Sequence, residues 1–160
     1  MMAAWKIAPA LAWGNCVVFK PADLVPGSAW ALAEILSRSG LPAGVFNLVM
    51  GRGSVVGEKL LHDPRVAAIS FTGSVATGQK VAAACVARMA KFQLEMGGKN
   101  PMIVLDDADV ELAANAAVWG AMFNAGQTCV SVERVYVLES AYDAFVEATV
   151  AAVNNLKVGA

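Results

Sequence analysis

The sequence predicts an α/β fold built on parallel strands, and three features predict it. Short apolar runs alternate with longer helix-like stretches along the first part of the chain. The links between them are brief and rich in glycine and proline. The order strand, helix, strand, helix, strand, helix, strand is that of a parallel sheet with right-handed crossovers.

Residues 1–13 read as a helix ended by Gly14. Cys16-Val17-Val18-Phe19 is a continuous apolar run, as in a strand buried on both faces, and Pro21 stops it. Residues 28–39 read as a helix with Gly40 as terminator and Pro42 just beyond. A strand follows at 45–49, then a short helix at 54–62 ended by Asp63-Pro64. Residues 66–71 form the third strand, 74–88 the next helix and 92–95 the fourth strand. Gly97-Gly98 and Pro101 then mark a domain junction, dividing the chain into 1–96 and 97–160. Beyond it a strand is expected at 102–105. An acidic turn at 106–109 caps a helix that runs to Phe123, a strand lies at 132–138, and an amphipathic helix covers 142–156.

A chain of 160 residues is enough for about one domain. Its hydrophobic fraction of 58% exceeds the typical ~45–50%. Either the domain is very apolar, or the core is shared with further segments; the second is the expectation. Twelve basic and thirteen acidic side chains give a net charge of -1, with no run of Lys and Arg. That excludes the electrostatic footprint of a nucleic-acid binder and of a protein held to an anionic membrane. No stretch reaches the ~18 uninterrupted apolar residues of a membrane span, and the start lacks the basic region of a signal peptide. Cys16, Cys85 and Cys129 are an odd count with wide spacing, which fits a reducing, cytoplasmic setting. With no Cys-x-x-Cys pair and His62 as the single histidine, no metal site is expected. Cys16 and Cys85 are expected in the core, and His62 is assigned no chemistry.

Five places could carry chemistry. Gly51-Arg52-Gly53 followed by Gly57 approaches a dinucleotide fingerprint, but its last gap is one residue too long; the alternative is a turn that needs glycine freedom. Phe71-Thr72-Gly73-Ser74, then Gly78, puts a helix N-terminus after a strand, suited to phosphate, or Ser74 is simply an N-cap. Lys20 and Asp23 close the first strand, where ligands of open parallel sheets bind; there a carboxylate can accept ribose hydroxyls, or the loop is merely solvated. Glu95 leaves an apolar strand beside glycines, as a general base with a carboxyl raised by desolvation would, or as a surface ion-pair partner would. Cys129 lies in a glycine-containing turn, open to a nucleophilic role or to that of an inert thiol.

Taken together these residues resemble the aldehyde dehydrogenase superfamily. Leu94-Glu95-Met96-Gly97-Gly98-Lys99-Asn100-Pro101 resembles its glutamate motif and Gly126-Gln127-Thr128-Cys129 its cysteine motif. Lys20-Pro21-Ala22-Asp23, Gly40-Leu41-Pro42-Ala43-Gly44-Val45 and Phe71-Thr72-Gly73-Ser74 match its cofactor half in order. The resemblance covers essentially the whole chain. It implies that residues 1–96 are part of a Rossmann-like parallel-sheet cofactor domain, joined to the start of an α/β catalytic domain at 97–160. It also implies that Cys129 attacks the aldehyde as thiolate, that its backbone N–H is one oxyanion donor, and that Glu95 activates the water that hydrolyses the thioester. NAD or NADP is the implied cofactor, held by Lys20, Asp23, Gly53, Gly57, Phe71, Thr72, Gly73, Ser74, Gly78, Met96 and Gly97. An acidic residue at position 23 points to NAD over NADP.

The resemblance places the family's Trp-Asn-Phe-Pro segment before Met1 and its Glu-x-Phe-Gly-Pro segment beyond Ala160, so an internal fragment, inactive in isolation, is expected. Ser131 stands where the family has a smaller neutral residue, which would narrow the substrate pocket. Residues 46–101 look most like semialdehyde-oxidising members, and full-length relatives form homo-oligomers. A different class of function is a truncated, non-catalytic piece that binds nucleotide or another subunit. Relatives that reduce acyl phosphates or form acyl-CoA generally lack the glutamate, so Glu95 argues against that reading.

Overall fold

The α/β expectation holds in a computed structural model that describes residues 2–159. The order is α1 (Met2–Ala12), β1 (Val17–Phe19), α2 (Pro26–Ser37), β2 (Phe46–Leu48), α3 (Glu58–His62), β3 (Ala68–Thr72), α4 (Val75–Ala87), β4 (Lys91–Glu95), β5 (Asn100–Val104), α5 (Val110–Met122), β6 (Val132–Val137) and α6 (Glu139–Asn154). The chain divides into two compact units, Met1–Thr72 with Ala76–Glu95 and Gly73–Val75 with Met96–Ala160. Among the described residues no helix is long and apolar enough to cross a membrane.

Among the described residues every strand pairing is parallel: β1 with β2, β3 with β4, β5 with β6. The first four strands were expected in one continuous sheet; among the described residues they form two separate pairs. Apolar runs and turn residues specify that a strand exists, whereas its hydrogen-bonding neighbour depends on where the crossovers carry each edge.

Boundaries moved for local reasons. α2 begins at Pro26, because proline's fixed φ and missing N–H suit the first helical turn. α6 begins at Glu139, whose carboxylate favours a helix N-terminus. Pro101 was read as part of the junction but lies inside β5, at a register shift between Asn100 and Pro101, where the strand can do without a donor.

In the first unit, Leu61 of α3 and Val81 and Cys85 of α4 form a core against Ile69, Phe71 and Leu94 of the β3–β4 pair. Cys85 is fully buried, as expected. Cys16 is not: it precedes β1 and is exposed. β1 is covered on one face only, since Val18 remains 47% exposed between half-buried neighbours. The apolar excess is thus not absorbed by a large core. All four tryptophans are mainly exposed, Trp13 at 86%.

In the second unit, Val104 of β5, Ala114 and Ala117 of α5 and Phe145 of α6 form the core, with Met102 and Val137 packed against it. Burying Phe145 stabilises by about 1.5–3 kcal/mol. Small side chains on α5 let α6 lie close. Near its end α5 passes so near β6 that a Cβ on Gly120 would sit 2.9 Å from the Val132 side chain. The start of α5 is fixed by Asp109, whose carboxylate accepts from the Leu112 N–H at 3.0 Å. Asp109→Ala is expected to lower stability by about 1 kcal/mol, while Asp109→Asn keeps most of it. Urea denaturation followed by circular dichroism measures both; an Ala variant as stable as the parent would show that the cap is not used.

Candidate functional site

Three of the expected cofactor residues meet at the carboxyl ends of β1 and β2. Lys20 donates to Asp23 Oδ1 at 2.7 Å, to the Gly51 carbonyl at 3.1 Å and to the Pro21 carbonyl. Those three bonds use all the donors of its ammonium. Asp23 Oδ2 accepts from the Gly53 N–H at 3.3 Å. The Lys20 ammonium, reinforced by the Gly53 N–H, holds the Asp23 carboxyl below the usual carboxylate range. The carboxylate is exposed and keeps lone pairs free for further donors.

The irregular glycine spacing has a geometric explanation. Residues Gly53–Gly57 form a π turn, in which the Glu58 N–H reaches back to the Gly53 carbonyl. A π turn holds one residue more than an α turn, so it absorbs the extra residue in Gly53-Ser54-Val55-Val56-Gly57 before α3 begins. Further on, Phe71 points into the core rather than outward. Thr72, Gly73 and Ser74 are exposed at the β3–α4 turn, whereas Gly78 is buried within α4. Met96 and Gly97 follow β4, half-buried and exposed respectively.

Glu95 is the last residue of β4, half-buried, opposite Thr72 in register. Its Oε1 accepts from Gln93 Nε2 at 2.9 Å. Gln93 Oε1 in turn accepts from Ser70 Oγ at 2.5 Å and from Lys6 Nζ at 3.3 Å. Lys6 also donates to Ser70 Oγ at 2.8 Å and to the Phe71 carbonyl at 3.2 Å. Burial pushes the Lys6 ammonium down from its ordinary value, and the charge of Glu95 acts against that. Sequence reasoning missed Gln93 and Lys6. Gln93 carried a signal, since residues two apart on a strand share a face. Lys6 carried none, lying in α1 far along the chain from its partners.

In the second unit, Cys129 is exposed in the turn that follows α5. Asn124, Ala125 and Gly126 are consecutively left-handed, with φ of 53°, 56° and 73°. For a side chain such as alanine's this costs about 1–2 kcal/mol, so other bonds must hold it. The Gln127 N–H donates to the Asn124 carbonyl at 3.1 Å and Asn124 Nδ2 to the Gln127 carbonyl at 3.1 Å. Asn100 Nδ2 reaches the Cys129 carbonyl at 2.7 Å and the Ser131 carbonyl at 3.1 Å. Gly98 leaves room beside it, since a Cβ there would crowd the Cys129 carbonyl at 3.1 Å. The Gly98-Lys99-Asn100 stretch therefore braces the cysteine turn.

Ser131 departs from its expected role. It is 2% exposed, and its hydroxyl faces the Gly120 and Ala121 carbonyls at 3.2 and 3.3 Å. Those carbonyls end α5 without helical partners, so the hydroxyl satisfies the helix terminus rather than facing an open pocket.

An exposed thiol in a braced turn, a tethered carboxylate at a strand end and an anchored Lys–Asp pair are parts of distinct chemical use. The model of the family described as "Aldehyde dehydrogenase family" matches residues 1–160. The chain is 51% identical over 143 residues to the lactaldehyde dehydrogenase of Escherichia coli (strain K12), covering 89% of this chain and 30% of that protein. It is 48% identical over 158 residues to betaine aldehyde dehydrogenase 2 of Rhizobium meliloti (strain 1021), covering 99% of this chain and 33% of that protein. It superposes on a crystal structure of an E. coli NADP dependent enzyme with a TM-score of 0.95 and 45% identity, covering 99% of this chain and 33% of that one. For a betaine aldehyde dehydrogenase of Staphylococcus aureus in complex with NAD+ the TM-score is 0.92 and the identity 40%, covering 98% and 31%. The chain spans about a third of the length of the curated relatives it matches. With the family match running the whole length of the sequence, and the thiol, the carboxylate and the Lys–Asp pair each seated on its own strand end or turn, the chain belongs to the aldehyde dehydrogenase family.

Proposed function

We propose that the full-length protein carrying this sequence oxidises an aldehyde to a carboxylic acid with NAD, with Cys129 as nucleophile and Glu95 as general base. The observation that carries the reading is the exposed Cys129 thiol in a turn braced by Asn100. A nucleophile must present one geometry to a carbonyl carbon, and a braced turn provides that. The relatives named for lactaldehyde and betaine aldehyde oxidation support the reaction class.

In this mechanism the Cys129 thiolate adds to the aldehyde carbon and forms a thiohemiacetal. The Cys129 backbone N–H supports the developing oxyanion. A bound nicotinamide would supply the hydride acceptor at this stage, and Cys129 would then hold the acyl group as a thioester. Glu95 then removes a proton from water as the water attacks the thioester, and the acid departs as the thiolate is restored. Lys20, Asp23 and Gly53 suit the adenosine ribose: the carboxylate accepts from its hydroxyls while Lys20 keeps the carboxylate in place. The exposed β3–α4 turn at Gly73 and Ser74 suits the pyrophosphate, next to the N-terminus of α4. Three free cysteines suit a cytoplasmic setting.

NADP is the second reading, favoured by the similarity to the NADP dependent enzyme. A carboxylate at position 23 repels a 2′-phosphate, which favours NAD. Asp23→Ser is expected to raise the kcat/KM ratio for NADP over NAD by roughly tenfold, removal of a like-charge contact being worth that much or more; an unchanged ratio would place the ribose elsewhere. Glu95→Gln should leave the first turnover of NAD intact and slow steady-state oxidation about 100-fold or more, and loss of both phases together would assign Glu95 another task. Alkylation read by peptide mass should label Cys129 and Cys16, spare the buried Cys85, and respond to NAD at Cys129 alone. Equal NAD sensitivity at Cys16 would remove Cys129 from the site.

A further inference from the structure

We infer that Gln93 is a positioning residue for Glu95, holding one carboxylate oxygen so that the other is presented to water. The inference rests on the reading of Glu95 as the general base. Gln93 and Glu95 are two apart on β4 and share a face of the strand. Ser70 lies directly opposite Gln93 in the β3–β4 register, and Lys6 reaches the same point from α1.

The chemistry of these neighbours decides which way the amide faces. The Lys6 ammonium can only donate, so the amide oxygen of Gln93 must turn to it. The Ser70 hydroxyl donates to the same oxygen at 2.5 Å. The amide nitrogen is thereby left facing the opposite side, where Glu95 Oε1 accepts at 2.9 Å. An ionised carboxylate only accepts, so the match is complete. A flipped amide would set its nitrogen against the ammonium and its oxygen against the carboxylate, two repulsions at once. The anchored amide therefore offers Glu95 a donor in one place, on a side chain that otherwise samples several rotamers. Oε2 receives no bond from Gln93 and remains the oxygen that can take a proton from water.

The test is made in the full-length protein that carries this sequence. Gln93→Met keeps the length and removes the donor. Acyl-enzyme decay on Cys129, followed by rapid quench and peptide mass, is expected to slow roughly tenfold, the loss of one hydrogen bond to a charged group. The rate of the first NADH formation, the KM for NAD and the thermal midpoint should stay unchanged, and Lys6→Met should slow the decay in the same way, because it frees the amide to turn. Decay at the parent rate would overturn the inference. So would a parallel fall in first turnover, decay and thermal midpoint, which is what a purely structural role predicts. Glu95→Gln measured alongside separates the two readings. If it slows decay while Gln93→Met does not, only the positioning fails; if it leaves decay unchanged, the general-base reading fails and the positioning with it.

Discussion

The bond from Asn100 to the Cys129 carbonyl is the contact on which the cysteine turn of the second unit depends. Three successive left-handed residues precede the cysteine, and two of them are not glycine. A chain so arranged relaxes unless other bonds hold it, and two between Asn124 and Gln127 do so within the turn. Asn100 adds one amide group on two carbonyls further along, those of Cys129 and Ser131, where a Cβ at position 98 would crowd the Cys129 carbonyl at 3.1 Å. The Gly-Gly-Lys-Asn stretch after Glu95 thereby has a mechanical role. It is the far side of the clamp on the cysteine turn.

The first unit uses the same device with charges. Lys20 donates to two carbonyls and one carboxylate, so Asp23 is held without being enclosed. At the other strand pair Lys6 orients an amide, and the amide holds Glu95. In each case a lysine with several donors gathers acceptors from neighbouring strands or from the loops that follow them. The two clusters differ in exposure. Asp23 is open to an incoming donor, whereas Lys6 has lost enough water to shift its ammonium downward.

The residues of the candidate site can be named from the sequence without coordinates. The motifs around Lys20, Glu95 and Cys129 could be read because each is continuous in sequence and each residue type has a chemical reason to stand there. The glycine spacing at 53 and 57 looked irregular because it was measured against an α turn, and the π turn makes the count regular. Ser131 lies two residues from the cysteine in sequence, yet its hydroxyl faces the end of α5. Cys16 misled because an apolar run was taken to mean burial, although only one face of β1 is covered.

The sequence by itself determined the elements, their α/β alternation and the residue types at the chemical positions. Periodicity, helix caps and turn residues act within a few residues, and their physics is complete at that range. The tertiary structure alone decided which strands pair, which lysine meets Gln93, and that Asn100 braces the cysteine. Those contacts join residues up to 87 positions apart. Which donor meets which acceptor over such a span depends on the path of the crossovers and on the packing that fixes them. Hydrogen bonds act over about 3 Å, so no local pattern encodes a partner that only the folded chain brings within reach.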